Sequence, residues 1–170
     1  IVQAEPDENF LIRPDFCNGI SQLMNHQFTY DLLIFPRHLY YANALVEKFP
    51  SQPFVIDHLA KPDFKKEDYK EWEKGIRTIA RHKNVYCKIS GLVTEADWRN
   101  WRAQDFTYCL DVITASFGVD RLMFGSDWPV CLLGGTYAEV TQIVQQYFSY
   151  FSLEDQAKIF GLNAIQFYKL

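Results

Sequence analysis

Apolar runs in this 170-residue sequence end repeatedly in residues with chemistry to offer. Asp57-His58 follows Phe54-Val55-Ile56, Ser90 follows Val85 to Ile89, and Asp127 follows Arg121 to Ser126. A carboxylate at the end of a buried strand is costly unless it binds a metal, pairs with a base or activates water. Asp127 is therefore a candidate general base or metal ligand. On its own segment it fits equally well as a cap or turn residue. His58 is the natural partner, since an imidazole can polarise a carbonyl or bind a metal. A single His at a loop edge is more often merely hydrogen-bonded, and it is the pairing with Asp127 that favours chemistry. Strand alternation predicts Asp57 and His58 on opposite faces, with His58 in the mouth. Lys61 could hold an anionic group or only an ion pair. Ser90 or Lys88 could reach the same mouth. Trp98 and Trp101, beside Thr94, Glu95 and Asp97, could stack on a sugar or flat ring, or only pack. Trp128, next to Asp127, is a further candidate substrate contact. His26, His38 and His82 have no matching acid and read as surface or structural.

These residues need elements to hold them in place. Four runs rich in β-branched or aromatic residues read as strands: Tyr30 to Phe35, Phe54 to His58, Val85 to Ser90 and Arg121 to Gly125. Each is followed by apolar residues at helical spacing. These are Leu39 to Phe49, Tyr69 to Ala80, a long segment opened by Trp98 and running to Phe117, and Tyr137 to Phe148. Strand-helix alternation predicts a parallel sheet of βαβ units with helices on its outer side. Pro50 and Pro53 separate a helix from the next strand. Ser152 with Asp155 reads as a helix cap, and Gly161 separates a short helix from a last one starting at Asn163. No phosphate-binding glycine loop follows an early strand. The other parallel architecture is part of a (β/α)₈ barrel, whose strand ends converge on one mouth. Ile1-Val2-Gln3 reads as the tail of an earlier strand, so a partial barrel spanning residues 1–170 is expected.

Composition narrows the function classes. Apolar residues make up 48% of the chain, enough for a core, and net charge is −4. No basic block or basic-aromatic stripe predicts nucleic-acid binding, and no apolar run predicts a membrane span. Cys17, Cys87, Cys109 and Cys131 are scattered, without a CxxC pair, and read as reduced, mostly buried thiols of a cytoplasmic protein. HxH, HExxH and GxSxG are all absent. The chain alone thus offers at most one His and one Asp toward a zinc set.

Three stretches in order, FVIDHLAKP at 54–62, VYCKISGLVTEADW at 85–98 and RLMFGSDWPVCLL at 121–133, resemble the amidohydrolase superfamily. The resemblance extends to Tyr30 to Ile34 and Ile159 to Ala164, and so covers nearly the whole chain. It points to the amidohydrolase-2, L-fuconolactonase-like branch of sugar lactonases, with the 2-pyrone-4,6-dicarboxylate lactonases nearby. It implies a distorted (β/α)₈ TIM barrel of which this chain carries about strands five to eight. The strand-eight Asp corresponds to Asp127 and the middle-strand His to His58. It implies a hydrolase that opens a sugar lactone with base-activated water, with one divalent metal, zinc above all, near Asp127 and His58. The family's HxH ligands are absent here, and some members work without metal. The expected partners are a small-molecule lactone and the missing N-terminal half or a second copy, with no nucleic acid and no membrane. The alternatives are a non-catalytic half-barrel and a metal-dependent decarboxylase of the same superfamily.

Overall fold

The computed structural model describes residues 2–66 and 68–170. Four short strands form one parallel sheet: β1 (Tyr30–Leu32), β2 (Phe54–Ile56), β3 (Val85–Ile89) and β4 (Leu122–Phe124), adjacent in chain order. Tyr30 pairs with Phe54, Phe54 with Val85, and Cys87 with Leu122. The expected parallel pairing is present. The first strand is shorter than its apolar run, and a 3₁₀ turn follows from Pro36.

The helices are α1 (Pro14–Asn25), α2 (Leu39–Lys48), α3 (Lys70–Ile79), α4 (Leu92–Glu95), α5 (Thr107–Phe117), α6 (Tyr137–Tyr147), α7 (Leu153–Ala157) and α8 (Asn163–Tyr168). Period-2 alternation divides β3 between the sheet faces. Val85, Cys87 and Ile89 are buried with Leu45, Ile76, Ile113 and Val144 of the helices in the larger core. The opposite face is smaller, with Val55 and Met123 packed on Phe167 of α8 and flanked by Tyr86, Ala164 and Tyr168. This departs from the expectation that helices lie on one side alone: α8 covers the inner face.

Two expected elements differ. Val2–Ala4 is a 3₁₀ turn, not a strand tail; the Glu5 N–H closes the turn on the Val2 carbonyl, and only the Gln3 N–H reaches Leu33 near the end of β1. Ile1 lies outside the described residues. The helix expected from Trp98 starts at Thr107. The Asp97 carboxylate accepts from the Arg99 N–H and Asn100 Nδ2, closing a turn. A separate 3₁₀ turn, Ala103–Phe106, leads into α5.

The N-terminal edge of the sheet is tied by side chains that satisfy main-chain carbonyls. Arg121 donates to His82, Val85 and Ala80 at 2.9 Å each. Asn163 donates to Val119 and Leu122 at 2.7 Å, Gln52 to Phe28 and Pro53, and Asn84 to Phe49 and Gln52. These bonds tie strand and helix ends together, in part through carbonyls such as those of Pro53, Phe49 and His82 that also accept a main-chain N–H. Ser152 caps α7 by accepting from the Asp155 N–H.

Candidate active site

The C-terminal edge of the sheet is built differently. β2 stops at Ile56, so His58 does not end a strand but lies in a turn over Asp57–Ala60. His58, Leu59, Ala60 and Lys61 all have positive φ, between 51° and 57°. An L-residue in this region typically costs about 1–2 kcal/mol, and glycine is its usual occupant. Four non-glycine residues in a row persist only where their surroundings hold them, and such strain concentrates at functional sites. Leu59 is buried, and the Trp72 Nε1 donates to its carbonyl at 2.7 Å, fixing the turn from α3.

The turn has a consequence that strand alternation misses. Asp57 and His58 were expected on opposite faces, but the chain is no longer extended there. The Asp57 carboxylate meets Lys88 at 2.7 Å, while His58 meets Ser90 and Asp127. The His58 Nδ1 lies 2.8 Å from Ser90 Oγ, and its Nε2 lies 3.8 Å from Asp127 Oδ1. Asp127 also has left-handed backbone, φ 57°, and its Oδ2 accepts from Thr94 Oγ1 at 2.9 Å. Its main-chain carbonyl accepts from the Cys131 N–H, which anchors the following turn.

Two glycines make this approach possible. Gly91 has φ 68°, and a Cβ there would stand 2.8 Å from His58 Cβ and 2.9 Å from Nδ1. A Cβ on Gly125 would press on Ser90 Cβ at 3.2 Å.

Burial lowers the pKa of His58, against the pull of Asp127 and Asp57, so the imidazole is neutral near pH 7. The Ser90 hydroxyl can donate to Nδ1, leaving the proton on Nε2, or accept from it, leaving Nε2 free as a ligand. Either way it orients the ring. A neutral imidazole facing a carboxylate can polarise a carbonyl while the carboxylate takes a proton.

The remaining candidates divide. Lys61 does not present a free ammonium: Nζ is 2.5 Å from Glu95 Oε1 and sits over the Phe35 ring. It lines a cleft of about 460 Å³ with Phe35, Arg37, Lys65 and Glu95. Trp98 uses its indole N–H on the Thr94 carbonyl, and Trp101 uses its own on Gly134. Trp98 and Trp128 keep exposed rings, with Trp128 at 63%. His38 is buried, with Nδ1 accepting from the Phe35 N–H, and His82 bonds Asn43, so both are structural. The sequence did not single out Thr94 as the partner of Asp127, nor the grouping of Asp31, Asp57 and Lys88. The available signal was charge at inward positions of otherwise apolar strands, in Tyr30-Asp31-Leu32 and Cys87-Lys88-Ile89.

Comparison with known proteins adds context to this geometry. The sequence profile of the amidohydrolase family matches residues 2–170. An L-fucono-1,5-lactonase of Burkholderia multivorans is 39% identical over 180 residues, covering 99% of this chain and 61% of the relative. A second L-fucono-1,5-lactonase, from Burkholderia ambifaria, is 31% identical over 174 residues, covering 100% of this chain and 60% of the relative. A crystal structure of an amidohydrolase from Burkholderia multivorans with bound zinc superposes with a TM-score of 0.94 at 38% identity, over 99% of this chain and 62% of that one. The chain thus spans about three fifths of the length of the curated relatives it matches.

Proposed function

The chain belongs to the amidohydrolase family, and we propose that it is part of a hydrolase that opens a sugar lactone by attack of water. The observation that carries this reading is the facing of His58 Nε2 and Asp127 Oδ1 at 3.8 Å, both on left-handed backbone at the C-terminal edge of a parallel sheet. The curated lactonase relatives support the substrate class.

A lactone is a cyclic ester. In the proposed reaction Asp127 takes a proton from water, and the water oxygen bonds to the carbonyl carbon. The carbonyl oxygen becomes an oxyanion and accepts a hydrogen bond from the His58 Nε2–H. Collapse re-forms the carbonyl and breaks the ring C–O bond, and the proton held by Asp127 passes to the departing ring oxygen. The product is an open-chain hydroxy acid, which ionises. Ser90 orients the imidazole, Thr94 orients the carboxylate, and the exposed Trp98 and Trp128 rings offer stacking faces to the sugar. Lys61, joined to Glu95, shapes the adjoining cleft.

His58 and Asp127 are also zinc-ligand types, and 3.8 Å is a separation that two donors with bonds of about 2.0–2.2 Å can have. Among the described residues no group of three or more His, Cys, Asp or Glu could hold a metal, whereas a catalytic zinc takes three protein ligands. We infer that this pair contributes two ligands and that the others come from outside this chain. Such an ion, if bound, would polarise the lactone carbonyl in place of the Nε2–H. Ligation through Nε2 would require Nδ1–H to donate to Ser90.

The sheet reads as strands five to eight of a (β/α)₈ barrel, so residues 1–170 form part of one barrel domain. β1 and β4 each pair on one side only among the described residues, and the first strands of the barrel, or a second copy of this chain, would meet those edges. Among the described residues no helix is long and apolar enough to cross a membrane. The four cysteines are buried free thiols, which supports a cytoplasmic location.

The test is hydrolysis of an aldono-1,5-lactone by the full-length protein, followed as acid release. Asp127→Asn should lower turnover by about 10² or more. Unchanged turnover would remove Asp127 as base. A wild-type protein that hydrolyses no sugar lactone would remove the lactonase reading.

A further inference from the structure

Below His58 and Ser90, on the inner face of the sheet, lies a charged group that the reaction above does not use. Lys88 Nζ stands 2.7 Å from Asp31 Oδ2 and 2.7 Å from Asp57 Oδ1. The Tyr168 hydroxyl donates to the same Asp31 oxygen at 2.8 Å, and Lys88 lies over the Tyr168 ring. One side chain from β3 thus joins the residue after β2, a residue of β1, and α8. Burial alone would lower the lysine pKa, but the two carboxylates beside it raise it above its ordinary value, so the ammonium stays charged at neutral pH.

The two carboxylates are not equivalent. Asp31 lies within β1, and its partners are Lys88 and Tyr168. Asp57 adjoins His58, at the point where the backbone leaves the β region for the left-handed turn. Lys88 is itself two residues from Ser90, the hydroxyl that fixes the His58 ring. Both ends of the Lys88–Asp57 pair therefore lead to His58, one through the turn that carries it and one through the strand that carries its hydrogen-bond partner. The Lys88–Asp31 pair leads away from it, toward α8.

We propose that Lys88 is a positioning residue for His58, acting through Asp57, and that its bond to Asp31 is only a brace. The role assigned to His58 rests on the lactonase reading, while the positioning itself does not. Asp57→Asn and Asp31→Asn each remove one carboxylate from the same ammonium, so a merely structural network would answer both alike.

In the full-length protein, Asp57→Asn should lower kcat by at least about tenfold with little change in KM, and Asp31→Asn should change kcat less than about twofold. Lys88→Met should resemble Asp57→Asn, and Lys88→Arg should restore part of the loss. Should Lys88→Met fail to fold, the two Asp variants and Lys88→Arg carry the comparison. The ¹⁵N resonances of the His58 imidazole give a second readout that needs no activity: they should move in Asp57→Asn and stay in place in Asp31→Asn. Equal effects of the two Asp variants on both readouts, or none from Asp57→Asn, would overturn the positioning role. Absent lactone hydrolysis with the predicted imidazole shifts would fault the lactonase reading and leave the positioning intact.

Discussion

The two ends of the sheet are made of the same strands and obey different rules. At the N-terminal edge, Arg121, Asn163, Gln52 and Asn84 give their donors to carbonyls on ordinary backbone. At the C-terminal edge His58, Ser90, Asp127 and Thr94 meet one another through their side chains, and the backbone takes the strain. Among the described non-glycine residues with positive φ, only Gln27 and Lys169 lie away from that edge; the others are His58 to Lys61 and Asp127. One edge is arranged to close the fold. The other holds a neutral imidazole and a carboxylate where both keep bonding capacity for something else. The lesson is that strain and polar satisfaction separate along the strand direction, as expected where chemistry belongs at the strands' carboxyl ends.

That contrast can be broken most forcefully at the N-terminal edge. Arg121→Met leaves three close carbonyl contacts without their donor and should cost about 3 kcal/mol in urea unfolding. The folded fraction should keep its turnover, and a specific loss of kcat would erase the division between the edges. Next in size is Gly91→Ala. It forces an L-residue to φ 68° and drives a methyl group against His58, so a stability loss of about 2 kcal/mol should come with more than about tenfold lower turnover. Normal activity in this variant would show that His58 can retreat without consequence. Ser90→Ala should cost about 1 kcal/mol of stability yet about tenfold in turnover, because it frees the imidazole ring.

The smallest effect is on pH dependence. Burial lowers the folded-state pKa of both His58 and His38. Below the ordinary imidazole value of about 6.5 the unfolded chain therefore binds protons that the folded chain refuses. Stability falls as pH drops through that window toward the lowered values. His58→Gln should make this acid-side slope shallower and leave the His38 share in place. An unchanged slope in urea titrations between pH 7 and pH 5 would mean that His58 is not held neutral.

The sequence shows the sheet plainly, because apolar runs alternating with helical spacing have few other solutions; the parallel order of the four strands follows from it, the register does not. His58, Ser90 and Asp127 were legible for the same reason, as polar residues at the ends of such runs. The turn that aims His58 was not. Left-handed backbone is signalled by Gly or Asn, and Leu59, Ala60 and Lys61 give no such sign; tertiary contacts such as the Trp72 bond to Leu59 hold them there. Asp57 was hidden by the same turn, since period-2 alternation fails once the strand has ended. Trp98 and Trp101 stand at helical spacing by accident of a turn closed by Asp97.

The position of α8 bears on how the protein is made. It covers Val55 and Met123 on the inner face, yet it follows every strand and every other helix in sequence. During synthesis the sheet can pair and pack its outer face on the earlier helices while its inner face is still wet. Only when Phe167 and Tyr168 emerge does that face gain this cover and Asp31 its second partner. Until then that face of the nascent sheet stays apolar and uncovered by α8, a surface of the kind that chaperones bind.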